Sequence, residues 1–184
     1  MILFPFLFTL LAQAETISGV TLPDEIHLAS TPLILNGMGV REKYWLDIYV
    51  AGLYIPSYSD DPHQIIYENV PKRIHSTFIY PKVTREQLEE SLLENLDRNP
   101  EIDDTTREQM VLCMNWMEDL LAGDEILFDY DPEQGTTVYV KGEEKGVIPG
   151  EEFMQVICWI YVGDGASYLP LKNALLGKDR ELIR

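Results

Sequence analysis

The sequence has 184 residues, enough for one domain with a buried core, and 46% of them are hydrophobic, as in ordinary globular proteins. Its charge is less ordinary, because 14 Lys and Arg residues face 31 Asp and Glu residues, giving a formal net charge of −17. Such a surface repels phosphate backbones and anionic membrane surfaces, so we expect no nucleic-acid partner.

The chain begins with an apolar run over residues 2–11, followed by Ala12-Gln13-Ala14. The run is too short to span a bilayer as a mature helix, and an A-x-A site after it is typical of a signal peptide. We therefore predict an export signal over residues 1–14, a single domain over residues 15–184, and a periplasmic or secreted product. A buried first strand is the alternative. No second long apolar run follows, so we expect no stable membrane insertion.

The first half of the chain is typical of strands, because short runs of β-branched and aromatic residues end at turn-forming residues. Strands are predicted for TISGVTLP, TPLILNGMGV, YWLDIYVAGLYIP and KRIHSTFIY, with a short helix in DDPHQIIYENV. The second of these strands is predicted to run into a glycine-rich bend, and Arg41 follows directly after it.

The periodicity changes to that of a helix after Pro81. Thr84 and Gln87 form a capping-box pattern, and leucines then recur every four residues as far as Leu96. A second helix is predicted from about Thr105 to Leu121, with one stripe formed by Met110, Met114, Met117 and Leu121.

The remaining third predicts a meander of three strands, then a helix over Glu151–Val162 and a short terminal helix around Leu171–Leu176. The predicted order along the chain is therefore strands, two long helices, further strands and further helices. This order predicts an α+β fold with an antiparallel sheet and helices on one face.

The patterns of common catalytic and metal sites do not occur in the sequence. The three histidines, His27, His63 and His75, are on separate predicted elements and lack the spacing of metal ligands. Gly37 and Gly39 are followed by a strand instead of a helix, which argues against a dinucleotide site. We therefore expect neither a cofactor nor a metal.

Cys113 and Cys158 are the only cysteines. In an exported chain they could form one disulfide bond. Each lies among apolar residues of a predicted helix, so two buried free thiols are the alternative, and the sequence leaves both open.

Arg41 is a single arginine at the start of an apolar strand. A guanidinium stays protonated and presents a planar fork that suits a carboxylate or enolate oxygen. The alternative is a surface arginine paired with one of the many acidic residues, and spacing alone leaves both interpretations open.

The stretch LNGMGVREKYWLDIYVAGLYIP resembles the sheet region of the chalcone isomerase superfamily, especially its exported bacterial chalcone isomerase-like branch. Gly37, Gly39 and Arg41 match the family's G-x-G-x-R unit. The segment WIYVGDGASYLPLKNALLG is similar to the family's closing W-x-x-x-G segment and L-K-x-x-L helix. This resemblance implies an open-faced β-sandwich: a large antiparallel sheet, a layer of helices packed on one face, and an apolar cleft between them.

The resemblance also implies roles for single residues. In the plant isomerases the arginine that corresponds to Arg41 holds the developing negative oxygen of the ligand, and in the fatty-acid-binding members an arginine and a tyrosine hold a carboxylate. Tyr49 and Ile160 stand where the isomerases have threonines, and Gln87 and Glu94 fall near their helix tyrosine and asparagine. Ring closure requires those hydrogen-bonding groups. Arg41 with Tyr49 is instead the pair expected of a carboxylate binder.

We therefore predict a non-catalytic periplasmic binding protein for a small apolar, fatty-acid-like carboxylic acid, with Arg41 and Tyr49 as its ligand-binding residues. An intramolecular lyase or isomerase of the chalcone isomerase type, acting on an unknown substrate, is the alternative. A scaffold without a pocket, for a protein partner, is a third possibility.

The binding hypothesis makes a geometric demand. Arg41 and Tyr49 are eight residues apart, so on one straight strand they would be separated by roughly 26 Å. The chain must reverse between them if they share a ligand, and we predict the reversal at Glu42-Lys43.

Overall fold

The computed structural model describes residues 14–96 and 102–178. These residues form the strands β1 (Ala14–Ile17), β2 (Val20–Pro23), β3 (Glu25–Leu28), β4 (Thr31–Lys43), β5 (Leu46–Ile55), β6 (Lys72–Phe78), β7 (Lys82–Val83), β8 (Leu120–Leu121), β9 (Glu125–Asp131), β10 (Gly135–Val140) and β11 (Glu143–Ile148). Seven of them make one antiparallel sheet in the order β11-β10-β9-β6-β5-β4-β3. The hairpin β1-β2 and the pair β7-β8, whose strands are separated in the chain by α2 and α3, form two small two-stranded sheets beside it.

The helices of the described residues are α1 (Pro62–Tyr67), α2 (Arg85–Leu96), α3 (Asp104–Asn115), α4 (Glu152–Val162) and α5 (Leu169–Leu175). They pack on one side of the large sheet, which confirms the predicted α+β class. The main core fills the space between these two layers, where Phe128 of β9 meets Phe153 of α4 with their ring centroids 6.1 Å apart.

The predicted capping box opens α2. The Thr84 amide donates to Gln87 Oε1 at 2.9 Å, and the Gln87 amide donates to Thr84 Oγ1 at 3.3 Å. The next helix, α3, ends at Asn115, earlier than predicted. The amides of Trp116 and Met117 bond three residues back, which tightens the last turn, and Leu120–Leu121 then pairs with β7 as a strand.

The predicted glycine-rich bend is wrong, because β4 runs through Gly37 and Gly39 as one strand. The two glycines instead allow α5 to approach the sheet closely. A Cβ added to Gly37 would overlap the carbonyl oxygen of Ala174, and one added to Gly39 would lie 2.6 Å from the Ala174 Cβ. A glycine inside a strand is typical of such a close approach.

The opposite face of β4 and β5 carries a second, smaller core, in which Leu33, Val50 and Tyr54 are fully buried. The β1-β2 hairpin covers it with Leu22. Ala14 is the first residue of β1, and the rest of the predicted signal segment lies outside the described residues.

Cys113 in α3 and Cys158 in α4 are buried and free. The sequence left open a disulfide bond or two buried free thiols, and the structure has two free thiols. Burial raises the pKa of Cys113 to about 12 and that of Cys158 to about 11, so both stay protonated at neutral pH.

Candidate functional site

A tight hairpin between β4 and β5 brings Arg41 and Tyr49 together. The two residues are direct partners across the antiparallel pair, so their side chains leave the same face of the sheet. The reversal that a shared ligand requires is therefore present. Its position differs from the prediction. The two turn residues are Tyr44 and Trp45, with positive φ angles of 54° and 64°, instead of Glu42 and Lys43.

A β-bulge beside Arg41 re-aims the side chains of β5. Arg41 pairs with Tyr49 but Glu42 pairs with Asp47, which leaves Ile48 as an extra residue on β5. The Ile48 carbonyl accepts hydrogen bonds from the amides of Ile79 and Tyr80 at 2.9 and 3.1 Å. As a result Ile48 and its neighbour Tyr49 both face the space between sheet and helices.

The Arg41 guanidinium is held from the segment that precedes α5. Its Nη1 donates to the Glu42 carbonyl at 2.7 Å and its Nη2 to Ser167 Oγ at 3.1 Å. Its Cζ lies 5.1 Å from the centroid of the Tyr168 ring, a cation–π distance. No carboxylate of the described residues forms an ion pair with it.

Two tyrosine hydroxyls interact beside Arg41. The Tyr49 hydroxyl forms hydrogen bonds with the hydroxyl of Tyr161 in α4 and with the Arg41 guanidinium. The Tyr161 hydroxyl also bonds to Ser76 Oγ at 3.0 Å. Burial, reinforced by Tyr161, raises the pKa of Tyr49 well above its usual value even though Arg41 acts to lower it. Both hydroxyls therefore remain protonated hydrogen-bond donors at neutral pH.

These groups line two neighbouring pockets, called here the outer and the inner chamber, and Tyr49 lines both. The outer chamber, of about 330 Å³, opens between the hairpin and α2 and is lined by Arg41. The inner chamber, of about 130 Å³, reaches under α2 and α3 and is lined mostly by apolar side chains. Tyr49, Phe78, Leu88 and Ser91 line both chambers.

The predicted methionine stripe contributes partly to this lining. Met114 and Met117 face the inner chamber together with Cys113. Met110 is fully buried in the core and does not line it. The arrangement is a polar junction, formed by a cation and two hydroxyls, with apolar space beyond it.

The described residues contain no group of three His, Cys, Asp or Glu side chains that could hold a metal ion. None of the helices in residues 14–96 and 102–178 has the length and apolar character needed to cross a membrane.

Comparison with known proteins identifies the family. The sequence model described as chalcone isomerase-like matches residues 14–177. The chain belongs to the chalcone isomerase-like family. Among solved structures, its fold is similar to that of a fatty-acid binding protein from Arabidopsis thaliana, with a TM-score of 0.70 and 16% identity, covering 92% of this chain and 98% of that one. No curated protein matches the sequence.

This likeness confirms the predicted open-faced β-sandwich, with its large antiparallel sheet and one layer of helices. At 16% identity it shows the fold of this chalcone isomerase-like protein and not the role of any residue. The ligand-binding roles of Arg41 and Tyr49 therefore stay a prediction. The prediction requires the chain to reverse between the two residues, and the hairpin provides this reversal.

The other positions that the resemblance singled out are spread over the cavity of this chalcone isomerase-like protein. Gln87 and Glu94 line the outer chamber, and Ile160 lines the inner one. Asn95, next to Glu94, turns into the inner chamber, where its Nδ2 donates to the Ser91 carbonyl at 2.7 Å. Its buried Oδ1 has no hydrogen-bond partner among the described residues.

Sequence reasoning missed the polar groups that other elements supply. Ser76, Tyr161, Ser167 and Tyr168 surround Arg41 and Tyr49 from β6, α4 and the segment before α5. Only Tyr161 carried a usable signal, since it directly follows Ile160 and restores a hydroxyl beside the position where the resemblance had lost one.

Proposed function

We propose that this chalcone isomerase-like protein binds a small apolar carboxylic acid, such as a fatty acid, without converting it. One observation carries the proposal. The half-buried Arg41 guanidinium has no carboxylate partner among the described residues, and it lies beside the Tyr49 hydroxyl where an apolar cavity begins. A ligand carboxylate would supply the missing charge and accept hydrogen bonds from both groups.

The apolar part of the ligand has a defined place. The inner chamber beyond Tyr49 is lined mainly by Phe, Leu, Ile and Met side chains, which suit a hydrocarbon chain. The fatty-acid binding name of the Arabidopsis thaliana protein supports this ligand class. The first test is mass spectrometry of organic extracts of the purified protein, in which a stoichiometric long-chain acid is expected.

We further propose that residues 1–14 are removed on export and that the protein works in the periplasm or outside the cell. The apolar run and the Ala12-Gln13-Ala14 site support this proposal. The intact mass of the protein from its native compartment tests it: a chain starting at Glu15 is expected, and a cytoplasmic chain that retains Met1 would contradict it.

The affinity for a soluble acid such as octanoate is expected to be constant between about pH 6 and about pH 9 and to fall below about pH 5. The raised pKa of Tyr49 keeps its hydroxyl a hydrogen-bond donor over this range. The ligand loses its charge as the pH falls through its own pKa. Titration calorimetry at several pH values measures this profile, and a loss of affinity already between pH 7 and 9 would show that another group controls binding.

Ring closure of a chalcone, followed by absorbance, is expected to stay near its spontaneous rate in the presence of the protein. Catalysis needs groups that activate a phenolate and hold water, whereas both hydroxyls here have raised pKa values and are tied to Arg41 and Ser76. An enzyme-dependent acceleration that disappears in Arg41→Ala would instead establish the isomerase alternative.

A further inference from the structure

The tip of the β4-β5 hairpin exposes three large side chains in succession. Tyr44 is 77% exposed, Trp45 89% and Leu46 47%, and the first two are the most exposed large hydrophobic residues of the described chain. Isolated apolar residues on a surface are normal, but two aromatic rings and a leucine side by side form a patch. The rings of Tyr44 and Trp45 bury so little surface that a contribution to the core does not explain why aromatic residues occupy these positions.

The backbone at the tip is also unfavourable for these residues. Lys43 pairs with Leu46, so Tyr44-Trp45 is a two-residue turn in which both residues have positive φ. Asn-Gly is the preferred sequence for such a turn, and bulky residues rarely adopt positive φ. Tyr44 and Trp45 therefore carry a conformational cost that the folded chain does not offset by packing, and residues of this kind are typical of functional surfaces.

The patch continues into the ligand cavity. Tyr44, Leu46 and Ile48 all line the outer chamber, so an apolar strip leads from the hairpin tip to the Tyr49 hydroxyl. Lys43 lies at the same mouth, with its ammonium 5.8 Å from the centroid of the Tyr44 ring.

The hairpin tip differs from the rest of the protein in charge. The tip itself, Lys43–Leu46, carries one cation, and residues 41–47 around it, with Arg41, Glu42 and Asp47, have no net charge, while the whole chain carries −17. A surface with a net negative charge would repel the protein as a whole. A zwitterionic lipid surface would not, and its phosphates and quaternary ammonium groups match Lys43 and the faces of the two aromatic rings.

We propose that the hairpin tip, Lys43–Leu46, docks reversibly on a zwitterionic phospholipid surface and turns the mouth of the outer chamber towards the lipid. Tyr and Trp favour the interface between headgroups and hydrocarbon, because one end of each ring system is polar and the other apolar. The contact involves side chains at a turn and no membrane-spanning segment. The docking inference is independent of the proposed function. The further idea that the bilayer supplies the ligand rests on the proposed function.

Co-sedimentation of the full chain with phosphatidylcholine vesicles tests the docking. Trp45→Gly is the informative variant, since glycine is favoured at this turn position and Trp45 does not line the cavity. We expect it to keep or raise the thermal unfolding midpoint and to lower the vesicle partition coefficient by about fivefold or more, because the lost ring buries its apolar surface only in lipid. Trp45→Phe should retain most of the binding. The control is Tyr67→Asn, which removes a half-exposed aromatic ring outside the hairpin and should leave partitioning unchanged.

Trp45 also provides its own signal. Its fluorescence, taken as the difference between the wild type and Trp45→Phe, should shift to the blue and become protected from an aqueous quencher when vesicles are added. Vesicles that contain anionic phosphatidylglycerol should bind more weakly at low salt.

The docking inference is overturned if the Trp45 signal does not respond to vesicles, or if Trp45→Gly and Tyr67→Asn lose binding equally. It is also overturned if Trp45→Gly changes only the oligomeric state, since the patch would then contact a second copy of the chain. Failure of fatty-acid binding with intact vesicle docking would remove the proposed function and leave this inference standing.

Discussion

Replacing Arg41 by alanine is expected to weaken the binding of a fatty acid such as dodecanoate by about tenfold to 150-fold. This range corresponds to about 1.5–3 kcal/mol, the usual contribution of a hydrogen bond to a charged group. The variant removes a cation that lines the outer chamber beside Tyr49 and has no carboxylate partner among the described residues. Titration calorimetry measures the change in dissociation constant.

Three further variants separate charge from shape. Arg41→Lys keeps the charge but loses the planar fork, and Tyr49→Phe keeps the ring but loses the hydroxyl, so both should lose less affinity than Arg41→Ala. Arg85→Ala is the matched control, because Arg85 lies on α2 outside the cavity and donates to Asn115 Oδ1. It should bind as the wild type does.

The methyl ester of the same acid gives a readout that a purely structural role of Arg41 would not change. The wild type should prefer the acid over its ester by a factor similar to the loss in Arg41→Ala. The variant should bind the acid and the ester almost equally. If Arg41→Ala still discriminates between them as strongly as the wild type, the carboxylate is held elsewhere and the proposed function needs another anchor.

Replacing Gly37 by alanine is expected to lower the free energy of unfolding by about 3 kcal/mol, the upper end of the usual cost of overpacking. The added Cβ would overlap the Ala174 carbonyl and lie 2.8 Å from that of Leu175, and backbone atoms cannot rotate away as a flexible side chain can. The neighbouring Asn36, fully buried, donates to the same Leu175 carbonyl at 2.8 Å, so moving α5 would break that bond as well. Denaturant unfolding followed by circular dichroism measures the effect.

Gly142→Ala is the control for this prediction. Gly142 has a φ of 77° with nothing within 4 Å of an added Cβ, so its replacement tests backbone strain without a clash. It should cost only about 1 kcal/mol. If both variants lose the same free energy of unfolding, α5 can move away from the added Cβ at little cost. The close packing of α5 on β4 would then not explain why residue 37 is a glycine.

Movement of α5 should also reach the ligand site. The segment before α5 supplies Ser167 and Tyr168, which hold the Arg41 guanidinium. A variant at Gly37 that remains folded is therefore expected to bind the fatty acid more weakly, although residue 37 does not line either chamber.

The sequence by itself determined the elements whose signals are local. Alternating β-branched and aromatic residues predicted β5 and β6, and the Thr84-Gln87 capping box predicted the start of α2. The order of these elements predicted the α+β class, and the G-x-G-x-R unit with the closing segment predicted the chalcone isomerase-like family. The predictions of elements succeeded because each depends on residues close together in the chain, whereas the family resemblance rests on motifs from two distant parts of the chain.

Only the tertiary structure decided how distant residues meet. The turn lies at Tyr44-Trp45, against the preferences of both residues. The family resemblance had placed it at Glu42-Lys43, which are not strong turn formers either, so no local signal marked the true position. Gly37 and Gly39 looked like a bend because the helix that packs on them lies more than 130 residues further along the chain.

The candidate site depends on the same kind of long-range contact. Arg41 is paired with Tyr49 by strand register, and Tyr161 and Ser167 reach them from residues more than 100 positions away. No periodicity or spacing records such contacts, because they result from the packing of helices on a sheet. The sequence determined which chemical groups the protein has, and the fold determined that a cation, two hydroxyls and an apolar cavity lie side by side.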